Sequence, residues 1–376
     1  MGQVRVLIVD DAVVVRRMLS DIISSDTELV VVGTAANGKI ALTKLPELTP
    51  DVIILDLDMP EMGGIETLRR IKKTHPRLPV IAFSTLTHRG AQATLEALSR
   101  GAADYVTKPS SLGGGKSAIS TIRDELIPKI KAFARPQMRR AALGASPGPA
   151  QTAPPRPRAA PPAGLSPKRA APIRILAIGT STGGPNALTQ LLGMLPKPFP
   201  IPIVVVQHMP PIFTNILAER LTANTGHRVY ECASGTVIEP GVVWVAPGDF
   251  HMVVTKAPSG SRLQTHQGEP ENSCRPAVDP LFRSVADVYG PNVLAVILTG
   301  MGSDGLKGCH KIREAGGQIL VQDEASSVVW GMPGYVANAG LADKVLPIDA
   351  MAEEIKLRVS ATRMVRRDTG ITSQGR

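Results

Sequence analysis

Short, continuously aliphatic runs alternate along the first third of the chain with stretches whose apolar positions return every three or four residues. The runs are VRVLIVDD, LVVVGTAAN, DVIILDLDMP, PVIAFST and DYVTKP, and helices are predicted near 13–24, 38–47, 64–74, 90–100 and 117–133. A strand that is apolar at every position is covered on both faces, and strands joined through helices run parallel. Residues 1–134 are therefore expected to form an α/β domain whose doubly wound sheet has flavodoxin-like order.

The alternation stops and then resumes. PIRILAIG, PIPIVVVQH and NVLAVILTG are again strand-like, each closes in a polar or glycine-rich turn, and helical spacing follows. Residues 173–360 are thus expected to be a second doubly wound, parallel-sheet α/β domain. Residues 135–172 lie between. From Pro136 to Pro172 they hold ten prolines, six Lys or Arg and no acid, a composition that cannot bury a core and makes an extended spacer. Residues 361–376 read as a basic tail, and no repeat of 20–50 residues is present.

Composition narrows the functional classes. The net charge of +10 suggests nucleic acid, but much of it sits in the linker and tail, and aromatics are only 3%. No nucleic-acid partner is expected. Cys232, Cys274 and Cys309 match no zinc spacing and read as free thiols. The opening strand has no charged leader, and no run reaches the ~18 apolar residues of a membrane span, so a cytoplasmic protein that is not membrane-inserted is expected.

Sites in open parallel sheets gather where strands end. In the first domain Asp10 and Asp11 close the first strand, Asp56 the third, Ser84 and Thr85 the fourth, and Lys108 with Pro109 the fifth. Taken alone, Asp10 and Asp11 read as helix caps and Asp58 as a turn former. Converging carboxylates, however, call for a hard cation such as Mg²⁺ or Mn²⁺, and Asp56 beside Lys108 and a hydroxyl suits a phosphoryl acceptor. Residues 1–125 resemble the receiver domain of two-component response regulators. The resemblance implies Asp56 as phosphoacceptor and a histidine kinase as phosphodonor. It also implies Mg²⁺ held by the acidic group Asp10, Asp11 and Asp56 with the Asp58 carbonyl, and Ser84, Tyr105 and Lys108 as the switch.

In the second domain AIGTSTGGPNAL reads as strand, glycine turn and helix, with Ser181 in the turn and Pro185 in the first helical turn. The spacing fits neither a phosphate-binding loop nor a dinucleotide fingerprint. A serine nucleophile on a tight turn and a plain helix cap remain. A nucleophile needs a base and an orienting acid. His208 closes the strand PIPIVVVQ, and His251, after VAPGDF, competes with it. His227, His266 and His310 lack such a strand-end position, while His75 and His88 belong to the first domain. Asp304, in LTGMGSDG, sits in the turn after a third strand and reads otherwise as a helix cap. The glycine-rich turns permit close backbone approach, so the N–H groups of Met301 and Thr182 are candidate oxyanion donors.

IGTSTGGP, VVQHMP, CRPAVDPLF and LTGMGSDG, in this order, resemble the catalytic domain of the protein-glutamate methylesterases, and receiver, linker and esterase together resemble the chemotaxis regulators of that family. The resemblance implies Ser181, His208 and Asp304 as a triad, Met301 at the oxyanion, and no cofactor for the esterase. It implies methylated glutamates on the cytoplasmic helices of chemoreceptors as substrate, with glutamine deamidation as a second activity. Transcriptional or non-catalytic docking output is the alternative; the former would need a helix-turn-helix in place of strands with glycine turns.

Overall fold

The computed structural model describes residues 3–108, 115–142, 171–258 and 260–368. The first domain runs β1 (Val4–Val9), α1 (Val13–Ser24), β2 (Leu29–Ala35), α2 (Gly38–Leu48), β3 (Val52–Asp56), α3 (Gly64–Thr74), β4 (Val80–Thr85), α4 (His88–Ser99), β5 (Asp104–Lys108) and α5 (Gly115–Ala142). Its strands pair in parallel in the order β2-β1-β3-β4-β5. Val6, Ile8, Ile54 and Phe83 pack toward α1 and α5, while Leu7, Val9, Ile53 and Leu55 pack toward the other helices. Burial on both faces explains why these strands carry no polar alternation. Asn37 and Thr87 cap α2 and α4 through Ile40 N and Gly90 N at 2.9 and 3.0 Å.

The second domain continues with β6 (Ile175–Thr180), α6 (Gly184–Met194), β7 (Ile203–Gln207), α7 (Phe213–Thr225), β8 (Arg228–Glu231) and β9 (Val242–Val245). Then come β10 (His251–Ala257), β11 (Gly260–His266), α8 (Val278–Tyr289), β12 (Val293–Ile297), α9 (Leu306–Glu314), β13 (Gln318–Gln322), α10 (Met332–Asn338), β14 (Lys344–Leu346) and α11 (Ile348–Asp368). Seven strands form a parallel sheet in the order β14-β13-β12-β6-β7-β9-β8. Consecutive strands leave β6 toward β7, and β12 returns on its other side, so the strand order reverses at β6. Outside the carboxyl end of such a reversal, helices diverge and leave a crevice.

The antiparallel hairpin β10–β11 departs from the all-parallel expectation. It does not join the large sheet; Met252, Val254 and Leu263 pack its inner face into the core beside α8. A two-residue alternation with one solvated face is what such a hairpin requires. The β11 strand also gives His266 the strand end that its polar surroundings had concealed.

The two domains share a continuous apolar cluster in which Leu95, Leu98 and Tyr105 of the first join Leu188 and Phe213 of the second. Tyr105 stacks on Phe213 with ring centres 5.2 Å apart. Asn186 Nδ2 donates to Leu98 O at 2.9 Å, and Arg220 donates to Ser99 Oγ at 3.2 Å. Helix α5 continues to Ala142, past Pro136. Pro109, the rest of the linker to residue 170 and the last part of the tail lie outside the described residues. Among those described, no helix is long and apolar enough to cross a membrane.

Candidate active site

Register places the first two groups. Thr180 pairs with Gln207 across β6 and β7, so Ser181 and His208 are the next residues beyond adjacent strand ends, and His208 N donates to Thr180 O at 3.1 Å. On the other side of β6, Gly179 pairs with Ile297 of β12, whose continuation carries Met301 and Asp304. Thr180 Oγ1 and Ser181 N both donate to Thr299 O, at 2.9 and 3.1 Å, tying the two turns together. Gly300 permits this approach: a Cβ there would lie 2.9 Å from Ser181 Cβ and 2.4 Å from Met332 Sδ.

His208 Nε2 meets Asp304 Oδ2 at 2.7 Å, with both side chains largely buried. The carboxylate is further gripped by Val278 N on Oδ2 at 2.6 Å, and on Oδ1 by Asn272 Nδ2, Gly305 N and Asp279 N at 2.8, 2.9 and 3.1 Å. Burial works against the Asp304 charge, yet the His208 bond and these donors hold its carboxyl below the usual range. Burial likewise opposes a charged imidazole, but the bonds to Asp304 and to Cys274 prevail and raise His208 above its ordinary value.

With Nε2 bonded to Asp304, Nδ1 is the second nitrogen of the ring. It lies 3.4 Å from Cys274 Sγ. The Ser181 hydroxyl makes no hydrogen bond among the described residues; catalytic hydrogen bonds are often long or unmade before substrate binds. Ser181 O accepts from Gln207 Nε2 at 2.9 Å and from Gly184 N at 2.8 Å, which hold the turn over the start of α6.

His251 is a structural residue. Its Nδ1 accepts from Ala277 N at 3.2 Å and its Nε2 donates to Glu269 O at 3.0 Å, so both ring nitrogens are occupied by backbone. Buried His227 donates to Leu192 O at 3.0 Å, and His310 lies on α9. Thr182 O accepts from Thr299 Oγ1 at 2.9 Å and its own Oγ1 donates to Asp104 Oδ2 of the first domain at 2.8 Å. Sequence reasoning missed Asn272, Cys274 and Asp279, which belong to one segment before and within α8. The apolar, proline-bearing motif CRPAVDPLF marked that segment without indicating what its polar residues face.

In the first domain the ends of β1, β3 and β5 converge as their order requires. Lys108 Nζ lies 2.9 Å from Asp10 Oδ2 and 2.7 Å from Asp56 Oδ2. Burial pushes the Asp56 carboxyl up to about 6 against the pull of Lys108. Asp10, Asp11 and Asp56 each offer an oxygen within 4.8 Å of the others, a hard donor set that suits Mg²⁺. The Asp58 side chain is turned to Arg89 at 3.6 Å, and its N–H donates to Asp56 Oδ1 at 3.1 Å. Ser84 Oγ donates to Gly90 O at 3.0 Å, and Tyr105 is buried against Phe213.

A family model described as the response regulator receiver domain matches residues 6–120, and one described as CheB methylesterase matches residues 176–355. A protein-glutamate methylesterase/protein-glutamine glutaminase of Trichodesmium erythraeum is 52% identical over 361 residues, 96% of this chain and 100% of that protein. One of the same description from Nocardioides is 48% identical over 364 residues, 96% and 97% of the two chains. The crystal structure of the Thermotoga maritima CheB methylesterase catalytic domain is 43% identical, covers 48% of this chain and 96% of its own, and superposes with a TM-score of 0.48.

Proposed function

The chain belongs to the CheB family of protein-glutamate methylesterase/protein-glutamine glutaminases, and on that premise we propose that Ser181, His208 and Asp304 are its catalytic triad, acting on chemoreceptor helices under control of Asp56. The observation that carries the triad is the 2.7 Å bond between His208 Nε2 and Asp304 at the strand-order reversal, because it orients the imidazole beside the turn of Ser181, with Nδ1 held only by the weak Cys274 thiol.

Ser181 Oγ attacks the carbonyl carbon of a glutamate γ-methyl ester while its proton passes to His208 Nδ1. Asp304 stabilises the imidazolium through Nε2. The oxyanion forms against the N–H groups of Met301 and Thr182. The C–O bond to the methoxy group then breaks, methanol departs with the proton from His208, and an acyl-serine remains. Water adds to the acyl carbon, gives its proton to His208, and the glutamate carboxyl leaves as Ser181 recovers its proton. With a glutamine side chain, the group that leaves in the first half is ammonia. A transcriptional or docking output is not favoured, since the output domain is a methylesterase domain.

Control is assigned to the receiver. Asp10, Asp11 and Asp56, with the Asp58 carbonyl, would hold Mg²⁺, which when bound neutralises phosphoryl oxygens. Asp56 accepts the phosphoryl group from a histidine kinase, Lys108 pairs with it, and Ser84 turns inward from Gly90. Tyr105, stacked on Phe213, then loses its present seat. Since Asp104 is bonded to Thr182 beside the nucleophile, the docked receiver blocks approach of a long receptor helix, and phosphorylation favours its release.

Methanol release from methylated receptor membranes tests the assignment. Ser181→Ala and His208→Ala should each lose at least ~10³-fold in rate while remaining folded, because residues of a triad act as a unit. Turnover by the serine variant at the wild-type rate would refute the triad.

A further inference from the structure

Behind Asp304 lies a second buried carboxylate, Asp279, for which the triad has no use. Its Oδ1 accepts from Gly308 N at 2.7 Å, and its Oδ2 accepts from Asn272 Nδ2 at 3.1 Å. The same Asn272 amide nitrogen donates to Asp304 Oδ1 at 2.8 Å. Two buried anions side by side repel, and each disfavours charge on the other unless donors intervene. Asn272 is the only side chain that donates to both carboxylates among the described residues.

The backbone is shaped to deliver that amide. Glu271 and Cys274 exchange both backbone hydrogen bonds, at 3.1 and 2.9 Å, around Asn272 and Ser273, whose φ values are 52° and 61°. Left-handed conformation at both central positions is the hairpin turn that glycine and asparagine favour. Glu271 is anchored outside by Arg283, with contacts of 2.5 and 2.9 Å. The turn therefore sits between a surface ion pair and the buried carboxylates, and the residue that follows it, Cys274, faces His208.

We propose that Asn272 is a positioning residue for the hydrolysis. Its forked amide fixes the Asp304 carboxylate so that Oδ2 stays on His208 Nε2, and it separates that carboxylate from Asp279. The proposal rests on the triad reading above. Without the amide, Asp304 keeps its backbone donors but faces the Asp279 charge with no donor between them, which disfavours its own charge and weakens its hold on the imidazole. A shift of this kind lowers the rate of the chemical step and leaves KM alone, since the Asn272 amide bonds Asp304 and Asp279 and neither Ser181 nor His208.

The test is steady-state methanol release by the full-length phosphorylated protein over a range of methylated receptor concentrations. Asn272→Gly is the informative variant, because glycine accepts the left-handed backbone and removes only the side chain. A hydrogen bond to a charged group predicts a loss of roughly tenfold or more in kcat with KM unchanged. Asn272→Asp keeps size and backbone preference but replaces the donor with a third carboxylate, and it should lose more; it also serves should the glycine variant fail to fold. Wild-type kcat in either folded variant, or a loss confined to KM, would overturn the proposal. Asp304→Asn, measured alongside, separates the two readings. If it retains wild-type turnover the triad itself is wrong, whereas an impaired Asp304→Asn beside a fully active Asn272→Gly overturns the positioning role alone.

Discussion

Asp104, the first residue of the receiver's last strand, accepts a 2.8 Å hydrogen bond from Thr182, the residue that follows the proposed nucleophile Ser181. Lys129 Nζ of α5 lies 3.1 Å from the same carboxylate oxygen and 2.7 Å from Tyr105 O. The contact that covers the Ser181 turn is thus built into the strand that ends in Lys108, which touches Asp56. A charge change at Asp56 has a short route to the neighbour of the proposed nucleophile, through the Lys108 ion pair, strand β5 and the Asp104 hydrogen bond.

Asp104→Ala should loosen the docked receiver. A hydrogen bond to a charged group contributes about 1.5–3 kcal/mol, so methanol release by the unphosphorylated protein is expected to rise roughly tenfold, toward the phosphorylated rate. An unchanged basal rate would show that the bond does not restrain the esterase.

The raised pKa of His208 sets a pH dependence. A general base works only when neutral, so the rate should climb with pH beyond the ordinary histidine value of ~6.5. Asp304→Asn, which removes the anion that favours the imidazolium, should move this limb to lower pH while reducing the maximum. The stability linkage has the opposite slope. A folded-state pKa above the unfolded one gives stability that is complete below ~6.5 and is lost as pH rises through the folded value. Thermal unfolding of wild type and His208→Ala across this range measures that difference.

Cys274 is the half-exposed thiol, whereas Cys232 and Cys309 are buried. Alkylation by a small thiol reagent should therefore fall first on Cys274 and, 3.4 Å from His208 Nδ1, place bulk where the base must meet Ser181. Wild type should lose methylesterase activity on treatment, and whatever rate Cys274→Ala has should resist the reagent. Equal sensitivity of the two would assign the inactivation elsewhere.

Metal removal should divide the two domains. A chelator is expected to prevent labelling of Asp56 by a small phosphodonor, since the proposed Mg²⁺ donors include the three carboxylates Asp10, Asp11 and Asp56. Unphosphorylated methanol release should be unaffected. Inhibition of that basal rate by the chelator would mean that the esterase itself needs a metal.

Much of this protein was legible before any fold was seen, because strand-end chemistry follows from a local pattern. Unbroken aliphatic runs mark doubly covered parallel strands, and in such sheets functional residues lie just past the runs. That is how Asp56, Lys108, Ser181 and His208 could be placed at strand ends from position alone. The hairpin β10–β11 escaped because its apolar positions alternate weakly and its strands sit apart from the main sheet.

What only the tertiary structure decided is which groups face one another. His251 and His208 both adjoin strands in the sequence; backbone partners on both nitrogens of His251, and a carboxylate on His208, distinguish them. Asn272, Cys274 and Asp279 are ordinary polar residues in the chain, and their meaning comes from Asp304 and His208, far away in sequence, being brought against them. The seating of Asp104 on Thr182 is likewise a contact between domains separated by the proline-rich linker. Periodicity encodes burial, which each residue meets locally. Hydrogen-bond partnership depends on distances across the fold, which no local pattern carries.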